Sequence, residues 1–306
     1  MKIVKCIRHP KKILIWFGRK GILPISDRKF LKLLFENKMG YPLNLDDPKT
    51  FNEKLQWLKL YDRRPEYTKL VDKYEAKKRV AEIVGRKYII PTLGVYNKFD
   101  EINFDELPNQ FVIKCTHDSG GLVICKDKGT FNIAAAKKKI EESLKRNFYY
   151  AGREWPYKDV KPRIIIEKYM EDKNTGELID YKIMCFAGKA KMLFVCTERF
   201  GDGLKVTFFD LDWNKLPFER HYPSSKKDIL KPKNFDKMID LSEKLAKGIP
   251  FVRMDWYEIN GELYFGEYTL YPGSGFEEFT PGEWDKKIGD MINLDLVKDE
   301  IKKSDI

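Results

Sequence analysis

Two carboxylates and an arginine lie close together in residues 251–276, with a spacing that could support nucleotide–metal chemistry. The segment reads FVRMDWYEINGELYFGEYTLYPGSGF, with Asn260-Gly261 near its centre. Asn-Gly between two alternating runs is the strongest short-range signal for a β-hairpin. Alternation with period two puts Arg253 and Asp255 on one face, and the returning strand carries Glu267. Mg²⁺ takes oxygen ligands, usually one or two carboxylates together with substrate phosphates. The alternative interpretation is an edge hairpin with solvated charges.

The turn of this hairpin makes a prediction about register. With a two-residue turn, Asp255 falls opposite Gly266 and Glu267 falls opposite Met254, so the two carboxylates point to opposite faces. A shared metal therefore requires one extra residue in the hairpin. We expect that residue in a three-residue loop that ends in Gly261 at positive φ, which is a G1 bulge.

A second candidate site is a glycine-containing turn between two predicted strands. Residues 110–116, QFVIKCT, are rich in β-formers, and residues 122–125 return as another strand. The turn lets backbone N–H groups converge on phosphate oxygens. Lys114 lies on the strand before the turn and could reach a phosphate as a point charge. The turn itself consists of His117, Asp118, Ser119, Gly120 and Gly121. For His117 we favour a role in orienting the loop over a role in catalysis.

A third motif, Asp210-Leu211-Asp212, follows a predicted strand. D-x-D after a strand is typical of metal-dependent glycosyltransferases that use nucleotide-sugars. The same residues before Trp213-Asn214 are also common turn chemistry, and we favour the turn.

The sequence also predicts the helices and strands that must position these residues. Thr50-x-x-Glu53 is a capping box that opens a helix, and a second helix is predicted over residues 65–84. A short strand is expected at residues 88–91, a basic helix at 131–147, and further strands at 163–170, 178–186 and 189–198. An amphipathic helix is expected at 234–248 and another helix near 282–293, followed by a charged tail.

Taken together and in order, these motifs resemble the TupA-like (teichuronopeptide-biosynthesis) branch of the ATP-grasp superfamily. The resemblance runs from about Asn44 to Asn293 and includes FNEKLQWLKLYDR, KLVDKY, PNQFVIKCTHDSGG, PRIIIEKYM, DYKIMCF and the hairpin. It implies an α+β ATP-grasp fold in which two subdomains clasp ATP. Two positions depart from the pattern, because the superfamily more often has Asn at Thr269 and Gly at Asp118.

The resemblance also implies a role for individual residues. Lys73, in KLVDKY, matches a lysine that contacts the nucleotide phosphates, with Lys114 and the 118–121 turn. Arg253 would stabilise charge on the transferring phosphoryl group, so Arg253, Lys114 and Lys73 form the expected catalytic set. Further nucleotide contacts are expected from the hinge, where Glu167 would bind adenine, and from the next strand: Glu167, Lys168, Tyr169, Met170, Asp180 and Lys182. Asp255, Glu267 and Thr269 would hold Mg²⁺.

The reaction implied is ATP-dependent ligation of a carboxylate to an amine through an acyl phosphate. The expected substrates are an amino acid or amine and a uronic-acid-containing glycan or nucleotide-sugar precursor. The expected domain organisation is a basic helical segment at 1–48, N-terminal helices at 49–85, an ATP-grasp lid at 86–170 and a C-terminal subdomain at 171–306. The alternative function is a glycosyltransferase that uses Asp210 and Asp212.

Charge is concentrated at the N-terminus of this 306-residue chain. Residues 1–40 hold eleven Lys or Arg against Asp27 and Glu36, a net +9 of the total +11. The near-neutral remainder argues against a nucleic-acid-binding domain. Basic residues interleaved with Trp16 and Phe17 are typical of a segment that lies on anionic lipid, and the alternative is a helical extension packed on the body.

The remaining composition favours a cytoplasmic protein. Its five cysteines include no C-x-x-C pair and fall mostly in apolar runs, which indicates reduced thiols in a reducing compartment. No apolar run approaches the ~18 residues of a membrane-spanning helix. We therefore expect a cytoplasmic protein that contacts the inner face of the membrane peripherally if residues 1–40 bind lipid.

Overall fold

The computed structural model describes residues 10–173, 178–198 and 203–304, and it combines helices with antiparallel sheets. The helices are α1 (Pro10–Arg19), α2 (Asp27–Met39), α3 (Phe51–Tyr61), α4 (Tyr67–Val71), α5 (Lys73–Ile83), α6 (Ile133–Leu144), α7 (Tyr149–Gly152), α8 (Phe235–Ala246), α9 (Glu283–Gly289) and α10 (Asp295–Ser304). The strands are β1 (Thr92–Tyr96), β2 (Phe111–Cys115), β3 (Leu122–Cys125), β4 (Ile164–Lys168), β5 (Asp180–Phe186), β6 (Lys189–Thr197), β7 (Lys205–Phe209), β8 (Glu219–Arg220), β9 (Phe251–Ile259), β10 (Glu262–Thr269) and β11 (Phe279–Thr280).

Local capping chemistry fixes where the helices before the first sheet begin. The predicted capping box is present at α3, where Glu53 N–H donates to Thr50 Oγ1 at 3.2 Å and Thr50 N–H donates to Glu53 Oε2 at 3.0 Å. The single helix predicted over 65–84 is wrong, because it is divided into α4 and α5 at Asp72. The Asp72 carboxylate accepts from the backbone N–H of Tyr74 at 2.9 Å and so caps a new helix.

The first sheet has four strands in the order β1-β4-β2-β3, and its neighbouring strands are antiparallel. Phe111, Ile113 and Cys115 alternate into a core that α6 covers with Ala136 and Ile140. The strand predicted at residues 88–91 is wrong. A 3₁₀ turn occupies Arg86–Tyr88 instead, and β1 begins at Thr92.

The second sheet has five strands in the order β10-β9-β5-β6-β7, again antiparallel. Helix α8 packs on one face of it, where Trp256 Nε1 donates to Ser242 Oγ at 2.8 Å. By alternation, Arg253, Asp255 and Tyr257 of β9 point to the opposite face. That face therefore carries the polar residues of the predicted site.

The two N-terminal helices pack on the rest of the protein. Leu31 and Phe35 of α2 belong to the main core, and the Phe35 ring lies 6.2 Å from that of Phe276. Helix α1 in turn packs on α2 through Ile15 and Phe30. For α2 the structure thus agrees with the packed-extension alternative. None of the helices in the described ranges is both long and apolar enough to span a bilayer.

Candidate active site

The β9–β10 hairpin contains the extra residue that a shared metal requires, but not at the predicted place. Its turn has only two residues, Asn260 and Gly261, both at positive φ. The pairing then shifts by one residue between Phe265 and Tyr268, so that Gly266 and Glu267 both lie opposite Asp255. The predicted G1 bulge in the loop is wrong, and the bulge lies in the middle of β10.

As a result of this bulge, the two carboxylates share one arginine. Arg253 Nη2 donates to Asp255 Oδ2 at 2.7 Å and to Glu267 Oε1 at 3.2 Å. Arg253 Nε donates to Asp255 Oδ1 at 2.6 Å, and Thr269 Oγ1 donates to Glu267 Oε1 at 3.1 Å. The four hairpin residues predicted from the sequence therefore lie together.

The buried end of this cluster consists of oppositely charged side chains in contact. Asp255 also accepts from Lys182, its paired residue on β5. Burial alone would raise the pKa of Asp255, but Arg253 and Lys182 outweigh it and lower the pKa. Burial lowers the pKa of Arg253, and Asp255 and Glu267 more than reverse this effect. Asp255 is thus held as an anion and Arg253 as a cation.

The chemistry of this donor set fits a magnesium ion bound with a nucleotide. Asp255 and Glu267 offer hard carboxylate oxygens on one face, and Thr269 adds a hydroxyl. Within the described ranges, no three His, Cys, Asp or Glu residues are grouped closely enough to hold a metal by themselves. Mg²⁺ in nucleotide sites commonly takes one or two carboxylates and completes its shell with phosphates and water, so two carboxylates suffice.

The predicted phosphate turn is tied to the helix that carries Lys73. Lys73 Nζ donates to the backbone oxygen of Asp118, and the backbone N–H of Lys73 donates to Thr116 O at 3.0 Å. Within the turn, the Asp118 carboxylate accepts from Gly121 N–H at 3.1 Å and from the Ser143 hydroxyl. Asp118, where the superfamily more often has Gly, therefore braces the turn through its side chain.

The His117 side chain lies against the C-terminal end of α6. Its Nε2 lies 3.2 Å from the backbone oxygens of both Ser143 and Arg146. Because carbonyl oxygens only accept, Nε2 must carry the proton. The last carbonyls of a helix have no partner within it, and the imidazole supplies one here. This geometry supports an orienting role for His117.

Lys114 and Glu167 form part of a buried charge cluster at the first sheet. Lys114 Nζ lies 2.6 Å from Glu167 Oε2, and Lys77 of α5 pairs with the other oxygen. Burial alone would raise the pKa of Glu167, but the two lysines lower it to about 2. The carboxylate is thus fixed as an anion between two cations.

Of the nucleotide contacts predicted at the hinge and the next strand, all but Lys182 line one cavity of about 210 Å³. Its lining includes Lys114, Glu167, Lys168, Tyr169, Met170 and Asp180. Apolar walls come from β2, from β3 and from the residues just before β1 and β5: Ile90, Val112, Leu122, Ile124 and Leu178. A wider cavity of about 690 Å³ is lined by Tyr181 and Glu258, on the opposite face of the second sheet, and by none of the predicted site residues. The smaller cavity is therefore the one that the predicted nucleotide-binding residues line.

A family model described as TupA-like ATP-grasp matches residues 53–293, more than half of the chain. The chain belongs to the TupA-like ATP-grasp family. The fold class and the family expected from the sequence are therefore confirmed, and the chain is assigned to the ATP-grasp ligases.

Solved structures similar to this TupA-like chain include ligases of low sequence identity. D-alanine–D-alanine ligase from Helicobacter pylori is 14% identical with a TM-score of 0.46, covering 82% of this chain and 69% of its own. The Bacillus anthracis enzyme complexed with ATP is 19% identical with a TM-score of 0.44, covering 76% and 66%. ATP-grasp ligase PsnB with a minimal precursor is 8% identical with a TM-score of 0.38, covering 71% and 59%. None of the curated proteins matches this chain.

Several residues of this TupA-like site were missed by sequence reasoning. Lys77 lies one helical turn after Lys73, and that spacing could have indicated a shared face. Arg163 holds the start of α5 by donating to Asp72 at 2.8 Å and to Glu75 at 3.0 Å. Nothing in the sequence around Arg163 indicates these contacts.

The D-x-D motif is a turn in this TupA-like chain. Both Asp210 carboxylate oxygens accept from Asn214, Oδ1 from its backbone N–H at 2.7 Å and Oδ2 from its side-chain amide at 2.9 Å. The hydrogen bonds from Asn214 lower the pKa of Asp210, and Trp213 adopts positive φ within the turn. Asp212 is exposed. The structure thus agrees with the turn interpretation.

Proposed function

We propose that this ATP-grasp enzyme joins a carboxylate to an amine through an acyl phosphate. The observation that carries the proposal is Arg253, whose Nη2 donates to both Asp255 and Glu267. A hairpin that brings a cation and two carboxylates to one point has the charges needed at a transferring phosphoryl group. Catalysis of that transfer rests mainly on positioning and charge stabilisation.

In this proposal the substrate carboxylate attacks the γ-phosphorus of ATP. The bond to the bridging oxygen breaks, ADP leaves with that electron pair, and the product is an acyl phosphate. The amine then attacks the acyl carbon, and phosphate leaves with the C–O electron pair while the amine loses a proton. Arg253 stabilises charge on the phosphoryl group and on the tetrahedral intermediate. Mg²⁺, held by Asp255, Glu267 and Thr269, would neutralise charge on the phosphates.

The nucleotide would occupy the 210 Å³ cavity and extend toward the phosphate turn. The flat adenine ring suits the apolar walls, and the hinge at residues 168–170 lies beside it. Lys114 and Lys73 lie on the phosphate side, with the turn at residues 118–121 between strands β2 and β3. Asp180 would contact the ribose, and Lys182 lies between Asp180 and Asp255, 3.7 Å from Asp180 Oδ1.

For the substrates we propose an amino acid or amine and a uronic-acid-containing glycan precursor, in the cytoplasm. The substrate class rests on the resemblance to the teichuronopeptide branch. The compartment accords with the four described cysteines, which are all buried free thiols.

Trapping the acyl phosphate tests the reaction. Purified enzyme is incubated with Mg-ATP, a uronic acid or UDP-uronic acid, and hydroxylamine in place of the amine. We expect a hydroxamate and a matching release of ADP, and with ¹⁸O in the carboxylate we expect one labelled oxygen in the phosphate. Release of UDP from a nucleotide-sugar without consumption of ATP would instead establish glycosyl transfer and contradict the proposal.

A further inference from the structure

One face of α1 combines an exposed tryptophan with three cations. Lys12 precedes Trp16 by four residues, Lys20 follows it by four and Arg19 by three, so the four side chains share one side of the helix. Trp16 is 54% exposed. The next turn of the chain reaches Ile22, which is 59% exposed. We call Lys12, Trp16, Arg19, Lys20 and Ile22 the α1 face.

The opposite side of α1 is held firmly against the protein. Ile15 is buried, and a Cβ atom placed on Gly18 would lie 2.4 Å from the ring of Phe30, so α1 and α2 are in close contact. Arg153 Nη2 also donates to the backbone oxygen of Gly18 at 3.2 Å. Trp16 is therefore exposed on a helix that is anchored to the rest of the protein through its other side.

The charge on this face is not balanced locally. Residues 10–25 contain four Lys or Arg and no Asp or Glu. Lys11 alone among these cations forms an ion pair in the described part of the chain, with Glu36 at 2.8 Å. Single exposed apolar residues are ordinary on protein surfaces. A tryptophan and an isoleucine surrounded by unpaired cations are a different pattern, because both the apolar surface and the charge lack a partner.

We propose that the α1 face docks on an anionic lipid surface. Tryptophan is favoured at the boundary between headgroups and acyl chains, because its ring is amphipathic. Lysine and arginine beside it are attracted to anionic headgroups within a Debye length. A second copy of this chain is a poorer occupant, because two such faces would bring six cations together. This inference goes beyond the ligase activity and does not depend on it.

Vesicle co-sedimentation of the full-length protein tests the proposal, using phosphatidylcholine alone and phosphatidylcholine mixed with phosphatidylglycerol. We expect binding to the anionic vesicles only, with release at high salt. Lys12→Gln with Lys20→Gln should lower the partition coefficient by roughly 30-fold, the effect of removing two cations near such a surface. Trp16→Ser should weaken binding at unchanged charge.

The matched control carries Lys237→Gln and Lys244→Gln, which remove the same charge from exposed positions of α8. It should bind vesicles like the wild type. Equal losses in the two double variants would attribute binding to net charge and overturn the assignment to α1. Unchanged vesicle binding by Trp16→Ser would also overturn it. So would sedimentation velocity that shows a dimer of the wild type and a monomer of Trp16→Ser, because the α1 face would then bind a second copy of the chain. Circular dichroism of each variant separates loss of binding from loss of folding.

Discussion

Gly266 lies directly against Asp255 across the β9–β10 hairpin. A Cβ atom on Gly266 would lie 3.1 Å from the Asp255 carbonyl oxygen and 3.3 Å from its Cβ. This close approach occurs at the bulge where Gly266 and Glu267 both oppose Asp255. Glycine in a strand interior often marks such an approach of two backbones. The alignment of the two carboxylates therefore depends on a glycine at position 266.

Gly266→Ala should disturb that alignment. Because the added methyl group meets backbone oxygen, the strands must move apart by a few tenths of an ångström. We expect a loss of stability of roughly 1–3 kcal/mol, as for other overpacked sites, and a larger loss of ATP-dependent activity. Urea unfolding and ADP release measure the two effects. Gly282→Ala is the control, because its nearest atom would be 4.0 Å away. Unchanged kcat/KM in Gly266→Ala would show that the bulge does not align the carboxylates.

Glu267→Gln should lower kcat by about 10²–10³-fold, the usual effect of removing one preorganised charge-stabilising group. Its side chain is 45% exposed, so folding should be little affected and the loss is attributable to chemistry. Asp212→Asn removes a comparable charge from the D-x-D turn and should leave ADP release near the wild-type rate. Activity lost in Asp212→Asn and kept in Glu267→Gln would be the opposite of what the hairpin site requires.

The sequence was sufficient to predict the hairpin residues and their clustering, but not the position of the bulge. An Asn-Gly turn specifies local geometry, and the structure contains that turn. The bulge depends on Gly266 meeting Asp255, which is a contact across strands that spacing alone does not encode. Long-range partners were missed for the same reason. Lys77 reaches Glu167 across ninety positions of sequence, and such pairs become visible only when the strands are placed.

Glu167→Gln should change how the free energy of unfolding depends on pH. Glu167 has a pKa of about 2 in the folded state against 4.5 for an ordinary glutamate, so its ionised form stabilises the fold above about pH 4.5. That contribution, about 3 kcal/mol at most, is lost as the pH falls from about 4.5 to about 2. Urea unfolding should therefore show a gap between wild type and Glu167→Gln at pH 7 that shrinks toward pH 2. The exposed Glu82→Gln on α5 is the control, and a gap that is independent of pH would contradict the prediction.

The last prediction concerns Lys59, a buried cation that holds the turn after β10. Its Nζ donates to Ser274 O at 2.8 Å, to Gly152 O at 2.9 Å and to Gln56 Oε1 at 2.9 Å. Ser274 has φ of 54°, an uncommon conformation for a residue other than glycine. Burial raises the pKa of the nearby Glu154, and the charge of Lys59 opposes that rise. Lys59 therefore connects α3, the segment at residues 152–154 and the strained turn.

Lys59→Met should destabilise the protein by roughly 3–5 kcal/mol, because it removes the hydrogen bonds of Nζ and the cation that compensates a buried carboxylate. Glu154→Leu, for the matching reason, should also be destabilising. The double variant should lose less than the sum of the two, since each single change leaves its partner charge uncompensated. Urea unfolding of the two single variants and the double variant gives the coupling free energy. Additive losses would mean that Lys59 acts only through its hydrogen bonds to the turn and not through Glu154.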